Sequence, residues 1–125
     1  MKKIFILALA TLIVSNLFAQ QEKRIETSKQ LLSAFQKNSF EKIILKFDAN
    51  MKTALPKEKM AEIWTSLEKQ CGAFVKSDEI TTDKYQSYDI VYILLEFKNT
   101  KLKMKTVFDT QGLIAGLFFV PENQK

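Results

Sequence analysis

The segment 51–74, MKTALPKEKMAEIWTSLEKQCGAF, constrains the fold more than any other part of the chain. Pro56 suits the first position of a helix, where its missing N–H costs nothing. Glu58 places a negative charge in the first turn, where the helix dipole favours it. Apolar residues then recur at steps of three and four, which predicts a helix with one buried stripe: Met60, Ile63, Trp64, Leu67 and Cys71. Gly72 is expected to end the helix in the left-handed conformation.

After Gly72 the spacing of apolar residues changes to two, which is the period of β-strands. Four strands are predicted, near residues 73–80, 87–98, 101–109 and 113–120. Two further helices are predicted before residue 51, one over 22–37 and a short one over 40–47, and residues 48–50 are expected to break the second. Three helices followed by a twisted four-stranded antiparallel sheet make an α+β domain.

The turn between the second and third predicted strands indicates how these strands pair. With Asn99 and Thr100 as a two-residue loop, Phe97 lies opposite Leu102, and apolar residues face apolar residues along the whole pair. This register places one apolar set on the face beneath the helices: Val91, Ile93, Leu95, Phe97, Leu102, Met104 and Phe108.

The opposite face of the sheet is less polar than a half-solvated antiparallel sheet should be. The last strand is apolar on both sides, so it fits either a two-residue loop or a loop with a bulge at Gly112. One reading leaves Ile114 and Phe118 outside, and the other leaves Leu117 and Phe119 outside. Either the chain terminus or the first helix covers this face, or the face binds a second copy of the chain or another partner. The residues predicted for a partner surface are Ile90, Tyr92, Leu94 and Phe118.

The N-terminus has the pattern of a secretory signal peptide, predicted over residues 1–19. Lys2 and Lys3 precede an apolar run over 4–14 that is too short to span a bilayer, and Ala19 ends a cleavage site. Cleavage would leave one domain, residues 20–125, exported to the periplasm or secreted and without a stable membrane anchor.

Composition excludes several classes of function. Without Lys2 and Lys3 the chain keeps 17 basic and 14 acidic side chains, a net charge of +3, and no concentrated basic surface for a nucleic acid is evident. The absence of histidine excludes Ser-His-Asp and Cys–His nucleophile systems and His-ligated metal sites. Cys71 is the only cysteine, and its place on the apolar stripe predicts a buried, unreactive thiol. No metal and no cofactor is predicted.

A set of structural motifs resembles those of DUF3887, a family of small exported bacterial domains. The motifs are a Leu-Pro helix start, a core tryptophan, a Gly-x-Phe helix exit and an Asp-x-x-Gly turn, with single matches around them. The matching residues are Phe40, Phe47, Met51, Leu55, Pro56, Trp64, Gly72, Phe74, Phe108, Asp109, Gly112, Gly116 and Leu117. The resemblance implies an NTF2-like fold, a cone of helices on a twisted sheet, and it transfers no catalytic residues. Such domains often look like attachments to secreted α/β-hydrolases, but this sequence has no Gly-x-Ser-x-Gly elbow, so hydrolase activity is not carried over.

A cone of this kind encloses a cleft between helices and sheet. Five large apolar residues can either line such a cleft for a small apolar ligand or fill the core: Phe47, Met51, Met60, Trp64 and Phe74. Asp48 can act as a general base if it is desolvated. Alternatively, its carboxylate caps or bonds a turn at the end of a helix.

Lys101, Lys103 and Lys105 share one face of a strand and form the densest basic feature of the chain. They can meet phosphate or an acidic polysaccharide. They can also keep an exposed edge strand from pairing with another chain. Tyr92 and Glu96 share the outer face and are interpreted as surface residues.

Two hypotheses for the function follow. The first is a non-catalytic exported module that binds a ligand or a protein through the cleft or through the outer sheet face, with a homodimer as one form. The second is a small isomerase- or hydrolase-type enzyme with a carboxylate base in the cleft. A buried carboxylate without a cationic partner favours the enzyme, whereas a cleft filled by Trp64 and the phenylalanines favours the module.

Overall fold

In a computed structural model, the backbone is described for residues 2–124 and the side chains for residues 16–124. Four helices precede four strands: α1 Lys2–Lys37, α2 Glu41–Ile44, α3 Ala49–Ala54, α4 Lys57–Cys71, β1 Phe74–Tyr85, β2 Tyr88–Phe97, β3 Lys101–Phe108 and β4 Ile114–Pro121. The strands form one antiparallel sheet in the order β1-β2-β3-β4. The predicted α+β class with four antiparallel strands is therefore confirmed.

Helix α1 begins at Lys2, well before the predicted start at residue 22. It runs without a break through Ala19, the predicted cleavage point. The apolar run over 4–14 that predicts the signal peptide lies outside the described side chains. Within the described residues, no helix combines the length and the apolar character needed to cross a membrane.

The segment after α1 contains two short helices, so the described chain has four helices where three were predicted. Residues 48–50, predicted to break the second helix, instead begin α3. The reason is a cap: the carboxylate Oδ1 of Asp48 accepts a hydrogen bond from the backbone N–H of Met51 at 2.8 Å, which satisfies a donor that a helix start otherwise leaves free. Asp48 therefore caps a helix, which was the predicted alternative to a role as general base.

Helix α4 closely follows its prediction. Pro56 precedes its first residue, as the N-cap with extended ψ rather than as the first helical residue. Met60, Trp64 and Cys71 are buried along the predicted stripe. Gly72 ends the helix with φ +87° and ψ 174°, a conformation that is essentially restricted to glycine.

Strands β2 and β3 pair two residues away from the predicted register, since Leu95 rather than Phe97 lies opposite Leu102. The loop between the strands consists of Lys98 and Asn99, one residue earlier than predicted. Moving a hairpin loop by one residue shifts the pairing by two. Because side chains alternate with a period of two, each residue keeps its predicted face.

Contacts with the end of α4 hold this loop in place. The N–H of Lys98 donates to the carbonyl of Ala73, and the N–H of Asn99 donates to the carbonyl of Cys71, both at 2.9 Å. Between these carbonyls lies Gly72, where a Cβ atom would come within 2.8 Å of the Cβ of Lys98. These long-range contacts favour the observed register, and side-chain alternation in the strands does not encode them.

The core lies between the helices and one face of the sheet, the inner face. Six of the seven residues predicted for that face are buried there, and Leu102 packs against them. The largest buried side chains come from every helix and from three strands: Leu31, Phe35, Phe40, Ile43, Phe47, Met51, Met60, Trp64, Val91, Ile93, Leu95, Phe97, Met104, Phe108 and Ile114.

Strand β4 contains a bulge, but it lies within the strand and not at Gly112, where one of the two predicted loops placed it. Phe108 pairs with Ile114, whereas the preceding residue of β3 pairs with Gly116. Ala115 is therefore an extra residue in β4. Because of it, Ile114 is fully buried on the inner face while Phe118 projects from the outer face, so each predicted register is right for one part of the strand.

Candidate functional site

The five residues predicted for an apolar cleft lie in or against the core. Phe47, Met51, Met60 and Trp64 are buried, and Phe74 packs against them. The ring of Trp64 lies 5.4 Å from the ring of Phe74 and 5.7 Å from that of Phe97, measured between centroids. These residues form one packed cluster, and the three surface cavities described below are lined by other side chains.

The outer face of the sheet is the second predicted site. Four residues were predicted for it, and the strand pairing places all four on that face: Ile90, Tyr92, Leu94 and Phe118. Their exposure differs widely, because Phe118 is 52% exposed whereas Ile90 and Tyr92 are only 6% and 4% exposed. The outer face thus combines one exposed ring with an apolar floor.

Two lysines of β3 lie above this floor. The ammonium groups of Lys103 and Lys105 lie 5.8 and 5.9 Å from the centre of the Tyr92 ring, and that of Lys105 lies 5.7 Å from the centre of the Phe118 ring. The aliphatic parts of such side chains commonly cover apolar surface while the charge reaches water. Strand β3 is paired on both sides, so the interpretation of these lysines as protection of an edge strand is wrong.

Burial has an electrostatic effect on Tyr92. Its pKa is raised above the ordinary value of 10.0, mainly because the phenolate would be poorly solvated and also because the carboxylate of Asp83 is near. Tyr92 therefore keeps its proton to a higher pH than an exposed tyrosine does.

A groove of about 360 Å³ crosses the outer face next to the β1–β2 hairpin. Its walls are aromatic, aliphatic and charged: Asp83, Lys84, Tyr85, Tyr88, Ile90, Tyr92, Lys105 and Val107. Tyr85 and Tyr88 are both exposed. Grooves that combine aromatic rings with a few charged groups are typical of binding surfaces.

A second cavity, of about 370 Å³, lies between α1 and the β1–β2 hairpin, and we call it the hairpin pocket. It is lined by Leu17, Gln20, Gln21, Arg24, Thr82, Asp83, Lys84, Asp89, Ile90 and Val91. The amide Nε2 of Gln21 donates to the hydroxyl of Thr82 at 2.6 Å, and Arg24 Nε lies 3.5 Å from the carboxylate of Asp89. None of the sites predicted from the sequence includes this pocket. The available signal was Arg24, the sole arginine of the chain, within a helix that packs on the sheet.

A third, shallow cavity of about 520 Å³ lies between α1 and α2, where Lys37, Lys42 and Lys46 line it. Lys46 donates to the side-chain carbonyl of Gln30 at 2.6 Å. Among the residues whose side chains are described, no group of three or more histidine, cysteine, aspartate or glutamate side chains is arranged to hold a metal ion.

The carboxylates that could act as a general base have partners. Asp48 accepts the capping hydrogen bond from Met51. Asp89 lies between Arg24 and Lys84, each 3.5 Å from one of its oxygens. Cys71, which was predicted to be a buried thiol, is buried at the end of α4.

Comparison with known protein families identifies a match over most of the described domain. The family model described as "Protein of unknown function (DUF3887)" matches residues 28–117, which is more than half of the chain. No curated protein and no solved structure matches the chain significantly. The matched segment begins in the C-terminal third of α1 and ends in the middle of β4.

Proposed function

The chain belongs to the DUF3887 family, and we propose that it is an exported, non-catalytic interaction module. Its outer sheet face binds an acidic segment of a partner protein. The single observation that supports this most strongly is the exposed ring of Phe118 beside the ammonium group of Lys105, on a face whose floor is apolar. Exposed aromatic residues in such a setting are enriched at protein interfaces.

Charge supports the choice of an acidic partner. Within the described side chains, neither Lys103 nor Lys105 has a carboxylate within ion-pair distance. Glu96, on the same face, pairs with Lys76 at 3.7 Å. An acidic segment would therefore meet two free cations, whereas a second copy of the chain would bring its own lysines against them. Like charges facing each other oppose association.

The groove supports an extended occupant. Its volume of about 360 Å³ and its position between Tyr85, Tyr88 and Lys105 suit a few residues of a linear segment. Such a segment would place acidic side chains near the lysines and an apolar side chain near Phe118. Tyrosine rings supply large contact areas at small entropic cost.

The absence of catalysis is inferred from the carboxylates and the core. A general base in the cleft would need a desolvated carboxylate without a cationic partner. Asp48 serves as a cap, and Asp89 has two cations beside it. The residues predicted for an apolar cleft contact one another instead of lining a described cavity.

Export and the finer fold are parts of the same proposal. The charged start, the apolar run and Ala19 support removal of residues 1–19 and delivery to the periplasm or the medium. Helices on one face of a four-stranded antiparallel sheet support the NTF2-like cone.

The proposal is tested with a fluorescently labelled peptide of alternating glutamate and leucine. Fluorescence anisotropy measures its dissociation constant for the wild type and for Lys103→Ser/Lys105→Ser. Loss of two charge contacts should weaken binding by about tenfold or more. The matched control is Lys59→Ser/Lys69→Ser, which removes the same charge from the exposed side of α4 and should leave binding unchanged.

Three results would overturn the acidic partner. If both double variants lost the same peptide affinity, the net charge of the protein and not the outer face would explain the binding. A dimer in light scattering that Phe118→Ser dissociates would make a second copy the occupant. Binding to phosphatidylglycerol vesicles but not to the peptide would assign the face to an anionic membrane surface.

A further inference from the structure

We propose that the hairpin pocket binds a small organic anion, a carboxylate with a short aliphatic body, and that Arg24 is its anchor. The pocket shares Asp83, Lys84 and Ile90 with the groove of the outer face, but Tyr92, Lys105 and Phe118 do not line it. It lies on the helix side of the sheet, since Thr82 pairs with buried Val91 and Asp89 pairs with buried Phe108.

Arg24 is held in one position before any ligand arrives. Its guanidinium carbon lies 5.8 Å from the centre of the Phe108 ring, and its side chain is only 11% exposed. On its other side is Gly112, where a Cβ atom would come within 2.5 Å of Nη1. Gly112 also has φ +85°, so the turn both requires glycine and leaves room for the guanidinium. A preorganised cation of this kind loses little entropy on binding.

The charge of Arg24 is only partly satisfied. The distance of 3.5 Å from Nε to Asp89 Oδ2 exceeds the 2.7–2.9 Å that is typical of a strong charge-assisted hydrogen bond. Nε is buried and has no hydrogen-bond partner among the described residues. Asp89 is shared with Lys84, also at 3.5 Å. The helix-side wall of the pocket therefore carries two cations and one carboxylate. A carboxylate ligand could accept hydrogen bonds from two N–H groups of the guanidinium at once.

Asp83 is the fourth charged residue at the pocket, and it lies on the outer face of the sheet. Asp83 reaches the rim from the outer face, and its Oδ1 accepts a hydrogen bond from the backbone N–H of Lys84 at 2.8 Å. Its carboxylate is thus engaged with the hairpin backbone rather than with Arg24.

The remaining lining sets the size and the polarity of the ligand. Ile90 and Val91 supply aliphatic surface, while Gln21 and Thr82 supply neutral polar groups. A volume of about 370 Å³ is at the small end of small-molecule sites. Arg24 and Gln21 follow the predicted cleavage point, so processing after Ala19 would remove only Leu17 from the lining.

The test uses the single arginine of the chain. In the form that the cell accumulates, the ¹⁵N-labelled protein gives one arginine Nε–H resonance, which belongs to Arg24. Sodium hexanoate should shift this resonance saturably, with a dissociation constant of about 1 mM or below. Hexanamide, which has the same body without the charge, should not. No shift with hexanoate, or the same shift with both compounds, overturns the proposal.

Variants separate the anchor from general charge. Arg24→Lys keeps the charge but loses the fork, and it should weaken hexanoate binding by about tenfold. Lys84→Gln should weaken it less, and Lys105→Ser on the outer face should leave it unchanged. If Arg24→Lys does not fold, the Lys84→Gln and Lys105→Ser titrations still decide, because equal effects of both would contradict a site in the hairpin pocket.

Discussion

The indole ring of Trp64 stacks on the ring of Phe35, with 5.4 Å between ring centroids and 21° between ring planes. This contact joins α4 to α1. Phe35 also meets Phe40 and Phe119 edge to face, at 5.7 Å each. One ring thus connects two other helical segments and β4.

Phe35→Ala should lower the free energy of unfolding by about 3–5 kcal/mol, because it leaves a cavity at the junction of these elements. Urea denaturation followed by the fluorescence of Trp64, the only tryptophan, measures the change. The matched control is Leu45→Ala, whose side chain is 72% exposed and whose loss should cost no more than about 0.5 kcal/mol. Similar losses in both variants would argue against this packing.

Gly72→Ala should destabilise the protein by more than about 1 kcal/mol, since a positive φ disfavours any side chain and the new Cβ would approach the Cβ of Lys98. Gly116→Ala is the control, because Gly116 does not have a positive φ and its nearest neighbour is the movable ring of Phe118. Thermal unfolding compares the two variants. A larger loss in Gly116→Ala would contradict the role of Gly72 at the helix end.

Tyr92 should titrate above pH 10.0, for the reasons of burial and of Asp83 described above. The spectrum of the wild type minus that of Tyr92→Phe isolates its ionisation from the other two tyrosines. Because the folded state holds the phenol proton more tightly than the unfolded state, its contribution to stability is complete below pH 10 and is lost as pH rises through the folded pKa. A difference midpoint at or below pH 10.0 would show that the ring is solvated.

Intact mass spectrometry of protein recovered from the periplasm or medium of an exporting host should give a chain that begins at Gln20. Ala19→Arg should block this cleavage, because signal peptidase sites require small residues. If cells that express the wild type and cells that express Ala19→Arg both kept the full-length chain in the cytoplasm, export would be refuted. The tests of the two binding sites do not depend on this result.

The faces of β2 and β3 were predictable from the sequence, but the register between them was not. Alternation assigns Val91 and Met104 to the inner face whichever residues form the loop, because a loop shift of one residue conserves the face. The position of the loop at Lys98 and Asn99 depends on hydrogen bonds to the end of α4. Such contacts between distant segments have no signature in local periodicity. The same holds for the bulge at Ala115.

The two candidate sites differ in the same way. Tyr92 was predicted for the outer face from the period of its own strand, whereas Phe118 lay there in only one of the two registers that the last strand allowed. The hairpin pocket could not be predicted, because Arg24 and Asp89 come together only after α1 packs on β2. Asp48 was predicted to be either a general base or a helix cap, and local residue spacing did not decide between the two.

Amide chemical-shift mapping with the glutamate–leucine peptide decides whether the outer sheet face or an interior cleft binds a partner. Binding at the outer face should give saturable shifts at Tyr92, Lys105 and Phe118, with none at Phe47 or Trp64. Shifts that centre on Phe47 and Trp64, or no shifts on the outer face, would contradict it.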